Sequence, residues 1–354
     1  MKLYSDRAGE LYHMQSDYDC YIPKSLKEIE LKYDDEMLDL LSEANCLLGR
    51  LDGIAANLPD RDLFVAMYVK KEAVVSSQIE GTQASLTDVL QEKNQEHLQA
   101  TEEIVNYVHS LNYGINLMNR LPLSIRFFKE IHKELLRGVR GEDKNPGELR
   151  RSQNWIGPQG CNLTNAIFVP PAVEYMNNAL NDLELYMNDD IVIAPLIKVA
   201  LIHYQFETIH PFLDGNGRLG RILIMLWLKY NNILNYPLIY LSLYFKQNRT
   251  DYYSLLMDVR FKGKYEEWIK FFLKGIIAMS KNALDTIEKI VEYKRDIDQR
   301  INQLTMKNKN TYYEVVSFLF KHPYFYSNTI IEEFGLTILN VSLFIACCFN
   351  YSHF

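Results

Sequence analysis

Twelve consecutive residues, HPFLDGNGRLGR at 210–221, combine side-chain types that rarely share a purely structural role. His210 can accept a proton near neutral pH, because the pKa of free imidazole is about 6.5. Asp214 supplies the hard oxygen ligand that a Mg²⁺ ion bridging phosphates commonly takes. The Gly-Asn-Gly turn that follows lets an anion approach unpaired backbone N–H groups closely. The spacing therefore predicts a base, a metal ligand and a phosphate cradle in one loop.

The phosphate cradle needs a helix that begins at this turn. The segment PLIKVALIHYQFETI before the motif is helix-like and RILIMLWLKY after it is strongly so, which places the motif between two helices. Arg218 and Arg221 then lie three residues apart on the first turn of the second helix and reach the same side of the cradle. Positive charge at a helix N-terminus is unfavourable against the helix dipole by a few tenths to about 1 kcal/mol. An anionic ligand that cancels this cost is a reason for both arginines to be there. No strand precedes the loop and no Gly-Lys-Ser/Thr follows it, which argues against a P-loop.

The rest of the chain predicts a mainly α fold, because apolar residues recur at intervals of three and four. The predicted helices span roughly 36–57, 61–80, 85–95, 101–119, 124–138, 173–187, 194–209, 218–231, 245–261 and 265–303. Residues 1–35 show no sustained period and are interpreted as an arm on the main body. The Gly- and Pro-rich region 139–172 contains NAIFVPP, which reads as a short strand pair or an exposed flap.

Three units are predicted: 1–100 for the arm and first helices, 101–303 for the core and a long helix, and 304–354 for a small C-terminal unit. With 354 residues, 48% of them hydrophobic, the chain can bury a sizeable core. A formal charge of -7 argues against general nucleic-acid binding.

The composition predicts a protein of the reducing cytoplasm. The five cysteines are scattered and have no CxxC spacing, so neither a disulfide framework nor a zinc site is indicated. The N-terminus lacks the apolar stretch of a signal peptide, and the longest late apolar run is about half of the ~20 residues that a membrane helix needs. Membrane association is therefore not expected.

The motif resembles the signature of the Fic family, His-x-Phe-x-(Asp/Glu)-Gly-Asn-Gly-Arg-x-x-Arg, at every position. PGELRRSQNWIG at 146–157, NAIFVPP at 165–171 and PLIYLSLYFKQNRTDYYSLL at 237–256 are also similar to the family. The resemblance covers roughly residues 36–300. It implies a Fic-type helical core with a short β-hairpin flap. It also implies that the protein transfers AMP from ATP, with Mg²⁺, to a Tyr, Thr or Ser hydroxyl of a target protein.

The resemblance also implies a role for each matching position. His210 would be the general base and Asp214 the Mg²⁺ ligand. ATP would be held by Gly215, Asn216, Gly217, Arg218, Leu219, Gly220, Arg221 and Tyr253, with Asn248 and Tyr252 in the same adenine-closing segment. The target backbone would add as a strand to the flap formed by Leu163, Thr164, Asn165, Ala166, Ile167, Phe168 and Val169.

A second motif, SSQIEG at 76–81, resembles the inhibitory motif (Ser/Thr)-x-x-x-Glu-(Gly/Asn) of one Fic class. Ser76 and Glu80 are four residues apart on one helical face, and Gly81 lies where a helix would stop. By the resemblance, Glu80 pairs with Arg221 and keeps the γ phosphate of ATP from seating productively. Such a brake needs only ~2.8 kcal/mol to suppress turnover a hundredfold.

The C-terminal unit resembles the first two helices of a winged-helix module up to about Thr337. ILNVSLFIACCFNYSHF follows in place of a polar recognition helix, and no Arg or Lys occurs after Lys321, so DNA binding is doubtful. Two other functions stay open: removal of AMP by the same site, with Glu80 orienting a water, and a nucleotide-sensing transcriptional or toxin-antitoxin regulator. Self-modification and a homodimer also stay open.

Overall fold

The computed structural model describes residues 5–56, 58, 61–91, 98–158, 160–303, 309–321 and 326–348. Within these ranges the chain is mainly α-helical, which confirms the predicted fold class. The helices are α1 (Asp35–Ala55), α2 (Arg61–Ile79), α3 (Leu86–Gln91), α4 (Leu98–Leu117), α5 (Ile125–Leu135), α6 (Val173–Asn188), α7 (Pro195–Ile209), α8 (Asn216–Tyr230), α9 (Leu241–Gln247), α10 (Arg249–Lys262), α11 (Tyr265–Gln303), α12 (Lys309–Lys321), α13 (Ser327–Phe334) and α14 (Ile338–Cys348).

Helices α7 and α8 lie at the centre of the core and carry the 210–221 motif between them. Every residue of α7 from Leu196 to Ile209 is buried, as expected for a helix covered on all sides. Helices α2, α4, α6 and α11 pack around this pair, and the long α11 runs along α1. The motif is therefore held by the most completely buried part of the molecule.

The N-terminal arm contains the two-stranded sheet, formed by β1 (Gly9–Met14) and β2 (Tyr18–Pro23) in antiparallel register with Gly9 opposite Pro23. Sequence periodicity missed this hairpin because β1 is exposed at most positions and lacks an apolar face. β2 packs against α6 and α7, so the arm does lie on the main body. Within the flap, regular pairing is limited to one isolated bridge between Ile156 and Phe168.

The predicted helix at 245–261 is divided into α9 and α10 at Asn248, whose backbone leaves the helical region (φ -111°, ψ 40°). The side-chain amide of Asn248 donates to the Tyr244 carbonyl oxygen at 3.0 Å. The apolar period continues across this break, so periodicity alone could not locate it. The predicted helix end at 92–95 lies outside the described residues.

Helices α12–α14 surround a small hydrophobic core of their own, to which the distal end of α11 contributes Ile297 and Ile301. The described part of this unit, 309–321 and 326–348, contains helices and no strand, so the wing of a winged helix is not among these residues. The domain boundaries at 100 and 303 stay predictions. No helix within the described ranges is long and apolar enough to span a membrane.

Candidate active site

His210 follows the last residue of α7 in the left-handed region, with φ 49° and ψ 62°. This conformation is costly for a residue with a Cβ and persists only when its surroundings fix it. The carbonyl oxygen of His210 accepts hydrogen bonds from Arg150 Nε at 3.0 Å and Asn154 Nδ2 at 3.1 Å. Burial, together with the nearby charges of Arg150 and Arg260, lowers the pKa of His210 to about 4. The imidazole is therefore neutral at pH 7 and can act as a base.

The Gly-Asn-Gly turn begins α8, with Gly215 as N-cap in the left-handed region at φ 76°. Asn216 closes the loop, because its Oδ1 accepts from Phe212 N at 2.9 Å and its Nδ2 donates to Phe212 O at 2.8 Å. The first N–H groups of a helix have no intrahelical acceptor. The sequence thus positions a helix N-terminus, with its partial positive charge, beside His210.

His132 on α5 holds the other side of the loop. Its Nδ1 accepts from Gly147 N–H at 2.9 Å, so its Nε2 carries the hydrogen and donates to Asp214 O at 2.9 Å. Its ring stacks on Phe212 at a centroid distance of 3.9 Å. Burial lowers the pKa of His132 to about 4, which keeps the ring neutral in this structural role.

Arg218 is fully buried under the cradle and is incompletely paired. Its Nη1 lies 3.5 Å from Glu103 Oε2, and its Nη2 lies 3.7 Å from Asp214 Oδ1. Its Nε and Nη2 have no hydrogen-bond partner in the part of the chain that the structure describes. An unsatisfied buried donor costs about 1–3 kcal/mol, and more when charged, so this guanidinium has donors that an anionic ligand would satisfy.

Arg221, on the next turn of α8, contacts the end of α2 through three hydrogen bonds. Its Nε donates to Ser76 Oγ at 2.8 Å, and its Nη2 donates to Ser76 O at 2.9 Å and Glu80 Oε1 at 2.8 Å. A Cβ added to Gly217 would lie 2.3 Å from Glu80 Oε1, so the glutamate lies directly against the cradle. Burial opposes ionisation of Glu80, but the charge and hydrogen bond of Arg221, together with the charges of Arg218 and His210, outweigh it and lower the pKa of Glu80.

Gly81 fixes the position of Glu80 by ending α2 in a Schellman motif. Gly81 has φ 94°, its N–H donates to Gln78 O at 3.1 Å, and Thr82 N–H donates to Ser77 O at 3.1 Å. Glu80 is thereby the C-cap residue and points toward α8. The structure thus brings Ser76 and Glu80 into contact with Arg221.

Asp214 is the one predicted metal ligand. Its side chain is 36% exposed, and its Oδ1 accepts from Gly215 N at 2.6 Å. The described residues contain no group of three His, Cys, Asp or Glu side chains that could hold a metal ion. A single accessible carboxylate fits a Mg²⁺ ion that takes its other ligands from phosphates and water.

Tyr253 and the flap residue Ile167 line one cavity of about 580 Å³ beside α10. Tyr253 is 39% exposed, which agrees with a surface that a ligand could cover. Tyr252 is buried, and its hydroxyl lies 2.9 Å from His203 Nε2, so it belongs to the core and not to this cavity. Asn248 is not among the lining residues either.

The flap is tied to the body at one end. Phe168 exchanges backbone hydrogen bonds with Ile156 at 2.8 and 3.1 Å, and Val169 O accepts from Tyr21 N of β2 at 3.0 Å. Phe168 is buried beneath the Arg260 guanidinium, whose Cζ lies 3.8 Å from the centroid of the Phe168 ring. Ile167 and the turn before it are exposed, with Leu163 and Ala166 partly so.

Sequence reasoning missed several residues that build this site. Arg150 and Asn154 lie in the quoted PGELRRSQNWIG, but nothing in that text distinguishes them from solvated side chains. His132 and Glu103 lie in ordinary helices, and only the tertiary structure brings them to the loop. Glu207 on α7, 4.0 Å from His210 Nδ1, is a fifth residue that sequence reasoning missed.

Comparison with known proteins identifies the family. The chain matches the Fic/DOC family N-terminal model over residues 38–116 and the Fic/DOC family model over residues 122–228, together more than half of its length. The chain therefore belongs to the Fic/DOC family. The fold is similar to that of solved structures: a Fic family protein from Desulfovibrio desulfuricans has a TM-score of 0.62 at 20% identity, covering 88% of this chain and 90% of that chain. Fic-1 from Caenorhabditis elegans has a TM-score of 0.53 at 19% identity, covering 72% and 73%.

Curated relatives are similar over about half of the chain. Protein adenylyltransferase fic-1 of Caenorhabditis briggsae is 29% identical over 166 residues, which are 46% of this chain and 29% of that protein. Protein adenylyltransferase Fic of Drosophila erecta is 27% identical over 189 residues, which are 52% of this chain and 33% of that protein. The chain spans about a third of the length of these relatives.

Proposed function

We propose that this chain is a protein adenylyltransferase that transfers AMP from ATP to a Tyr, Thr or Ser hydroxyl of a target protein. The observation that carries the proposal is the buried guanidinium of Arg218, with two unpartnered nitrogen atoms beside a helix N-terminus and a neutral histidine. A polyphosphate supplies the missing acceptors. The names of the curated relatives support the same reaction.

In this reaction His210 takes the proton of the acceptor hydroxyl while the hydroxyl oxygen attacks the α phosphorus. The bond from the α phosphorus to the bridging oxygen breaks, and pyrophosphate leaves. The first N–H groups of α8 and Arg218 stabilise the charge on the phosphate oxygens. Mg²⁺, held by Asp214 and the phosphates, would neutralise charge on the leaving group. Tyr253 and Ile167 would enclose the adenine in their shared cavity.

Glu80 acts as an inhibitory residue in this proposal. Its carboxylate lies against Gly217, where a phosphate would approach, and engages Arg221 at 2.8 Å. A phosphate seated in the cradle would face a like charge and an arginine that is already paired. Productive binding therefore requires Glu80 to leave.

Calorimetric titration of Mg-ATP into the Glu80→Gly protein and into its Arg218→Gln derivative tests the phosphate site. Loss of a charge-assisted contact is expected to weaken binding about tenfold or more. Arg137→Gln is the matched control, because the Arg137 side chain is 75% exposed. Equal affinity of the Arg218→Gln derivative and its parent would contradict the phosphate role. Peptide mass spectrometry of a lysate incubated with the protein and ATP then identifies the target and the acceptor residue type.

A further inference from the structure

Glu207 lies one helical turn before His210, on the last turn of α7, and is 8% exposed. Its Oε2 lies 4.0 Å from His210 Nδ1. Neither Glu207 Oε1 nor His210 Nδ1 has a hydrogen-bond partner within the described ranges. The unpartnered Nδ1 of the candidate base thus lies 4.0 Å from one oxygen of a buried acid whose other oxygen is also unpartnered, which is an expensive arrangement without a function.

Gly220 of the motif makes room for this carboxyl group. A Cβ added at Gly220 would lie 2.4 Å from Glu207 Oε1 and 3.3 Å from the ring of His203. Any larger side chain at this position of α8 would displace Glu207 from His210. The close packing of α7 on α8 therefore holds the carboxyl group at its distance from the imidazole.

The charges around Glu207 come from four elements. They are His210 in the loop, Glu80 after α2, Arg221 on α8 and Arg260 on α10, with Tyr252 and Tyr253 of α10 also facing it. Burial raises the pKa of Glu207 to about 7, with Arg221 and Arg260 lowering it and Glu80 raising it. Near neutral pH this carboxyl group is therefore divided between its protonated and ionised forms.

We propose that Glu207 is a positioning residue for the His210 base: its carboxylate accepts the Nδ1–H of His210, which leaves Nε2 free to take the acceptor proton and stabilises the resulting imidazolium. The inference rests on the proposed adenylyltransferase function. Desolvation and two arginines make His210 a weak base, and a neighbouring negative charge restores its basicity. Because the Glu80 charge favours the protonated form of Glu207, removal of Glu80 also favours the ionised, active form.

The test compares Glu80→Gly with Glu80→Gly/Glu207→Gln and Glu80→Gly/Glu207→Asp. Gln keeps the shape and an accepting oxygen and removes the charge, whereas Asp keeps the charge. Since a general base contributes roughly 100- to 10,000-fold, weakening it should lower kcat of the Gln variant at least about tenfold. We expect the KM for ATP to stay unchanged and Asp to restore part of kcat. In the parent, which lacks the Glu80 charge that raises the pKa of Glu207, kcat should rise with pH below about 7, and the Gln variant should lose this rise.

NMR titration of the His210 ring gives a second readout that does not depend on turnover. In the Gln variant His210 should titrate at lower pH than in the parent, and Glu174→Gln, on the exposed side of α6, should leave the titration unchanged. Equal kcat, equal pH profile and equal His210 titration in the parent and the Gln variant would overturn the role of Glu207. If the Glu80→Gly parent itself transfers no AMP, the proposed function fails, while the NMR titration still decides whether Glu207 acts on His210.

Discussion

Replacing Glu80 by Gln removes the negative charge that faces Arg221 while keeping the size of the side chain. The Arg221 side chain is 2% exposed, and that of Glu80 is 32% exposed. After the substitution Arg221 keeps its two contacts with Ser76, at 2.8 and 2.9 Å. The variant therefore isolates the charge interaction between α2 and α8.

The magnitude follows from the burial of the pair. Removing one partner of a fully buried ion pair costs about 3–5 kcal/mol. Because Glu80 is about a third exposed and Ser76 still accepts from Arg221, we expect roughly 1–2 kcal/mol. In domains of 150–250 residues, 1 kcal/mol shifts Tm by about 2–4 °C, so the ligand-free variant should melt roughly 2–8 °C lower. With Mg-ATP, the freed Arg221 should bind phosphate about tenfold more tightly, since ~1.4 kcal/mol is a factor of ten.

Thermal unfolding with and without Mg-ATP measures both effects. The Glu80→Gln protein should have a lower Tm alone and a larger increase on adding Mg-ATP than the wild type. Glu102→Gln, an exposed glutamate on α4, makes the same charge change away from the site and should alter neither quantity. A Glu80→Gln protein whose Tm and Mg-ATP response equal those of the wild type would refute the energetic coupling between Glu80 and Arg221.

Two further predictions concern acid stability and the support of the base. Burial lowers the pKa values of His132, His203 and His210 to about 4, 3 and 4, so the unfolded state binds more protons and Tm should fall as pH drops from about 6.5 toward 4. Glu207, whose pKa is raised to about 7, contributes the opposite change: its protonation stabilises the folded state between about pH 7 and 4.5. Because it is one group against three histidines, a Tm that stays constant or rises on acidification would contradict this prediction. Arg150→Met should lower kcat more than it weakens ATP binding, because it removes the 3.0 Å hydrogen bond from Arg150 Nε to the His210 carbonyl oxygen. Kinetic and calorimetric assays measure the two effects. An equal loss of kcat and of ATP affinity would speak against a positioning role for Arg150.

Much of the fold follows from local sequence. The predicted helices at 61–80 and 194–209 match α2 and α7 to within one or two residues, because an apolar period of 3.6 and helix-ending residues such as Gly81 are local features. The β1–β2 hairpin was missed because most of β1 faces solvent and shows no alternation. The division at Asn248 was missed because apolar residues continue on both sides of it.

In the candidate site, too, the features that follow from local sequence could be predicted and the contacts that depend on tertiary packing could not. The cradle and the two arginines are contiguous, so their spacing alone predicts an anion site. The pairing of Glu80 with Arg221 joins residues 141 positions apart and was predicted only from the family resemblance. The contact of His132 with the Asp214 carbonyl and that of Glu207 with His210 depend on helix packing and on the left-handed turn at His210. A single sequence carries no signal for such contacts.

AMP transfer by this site and its restraint by Glu80 can be tested in one labelling experiment. The most direct measurement incubates wild type, Glu80→Gly and Glu80→Gly/His210→Ala with Mg²⁺, a cell lysate and ATP labelled at either the α or the γ phosphate. We expect protein-bound label from the α phosphate, strong with Glu80→Gly, weak with the wild type and lost with the double variant. Label from the γ phosphate alone, or no label with Glu80→Gly although it binds ATP, would contradict this expectation.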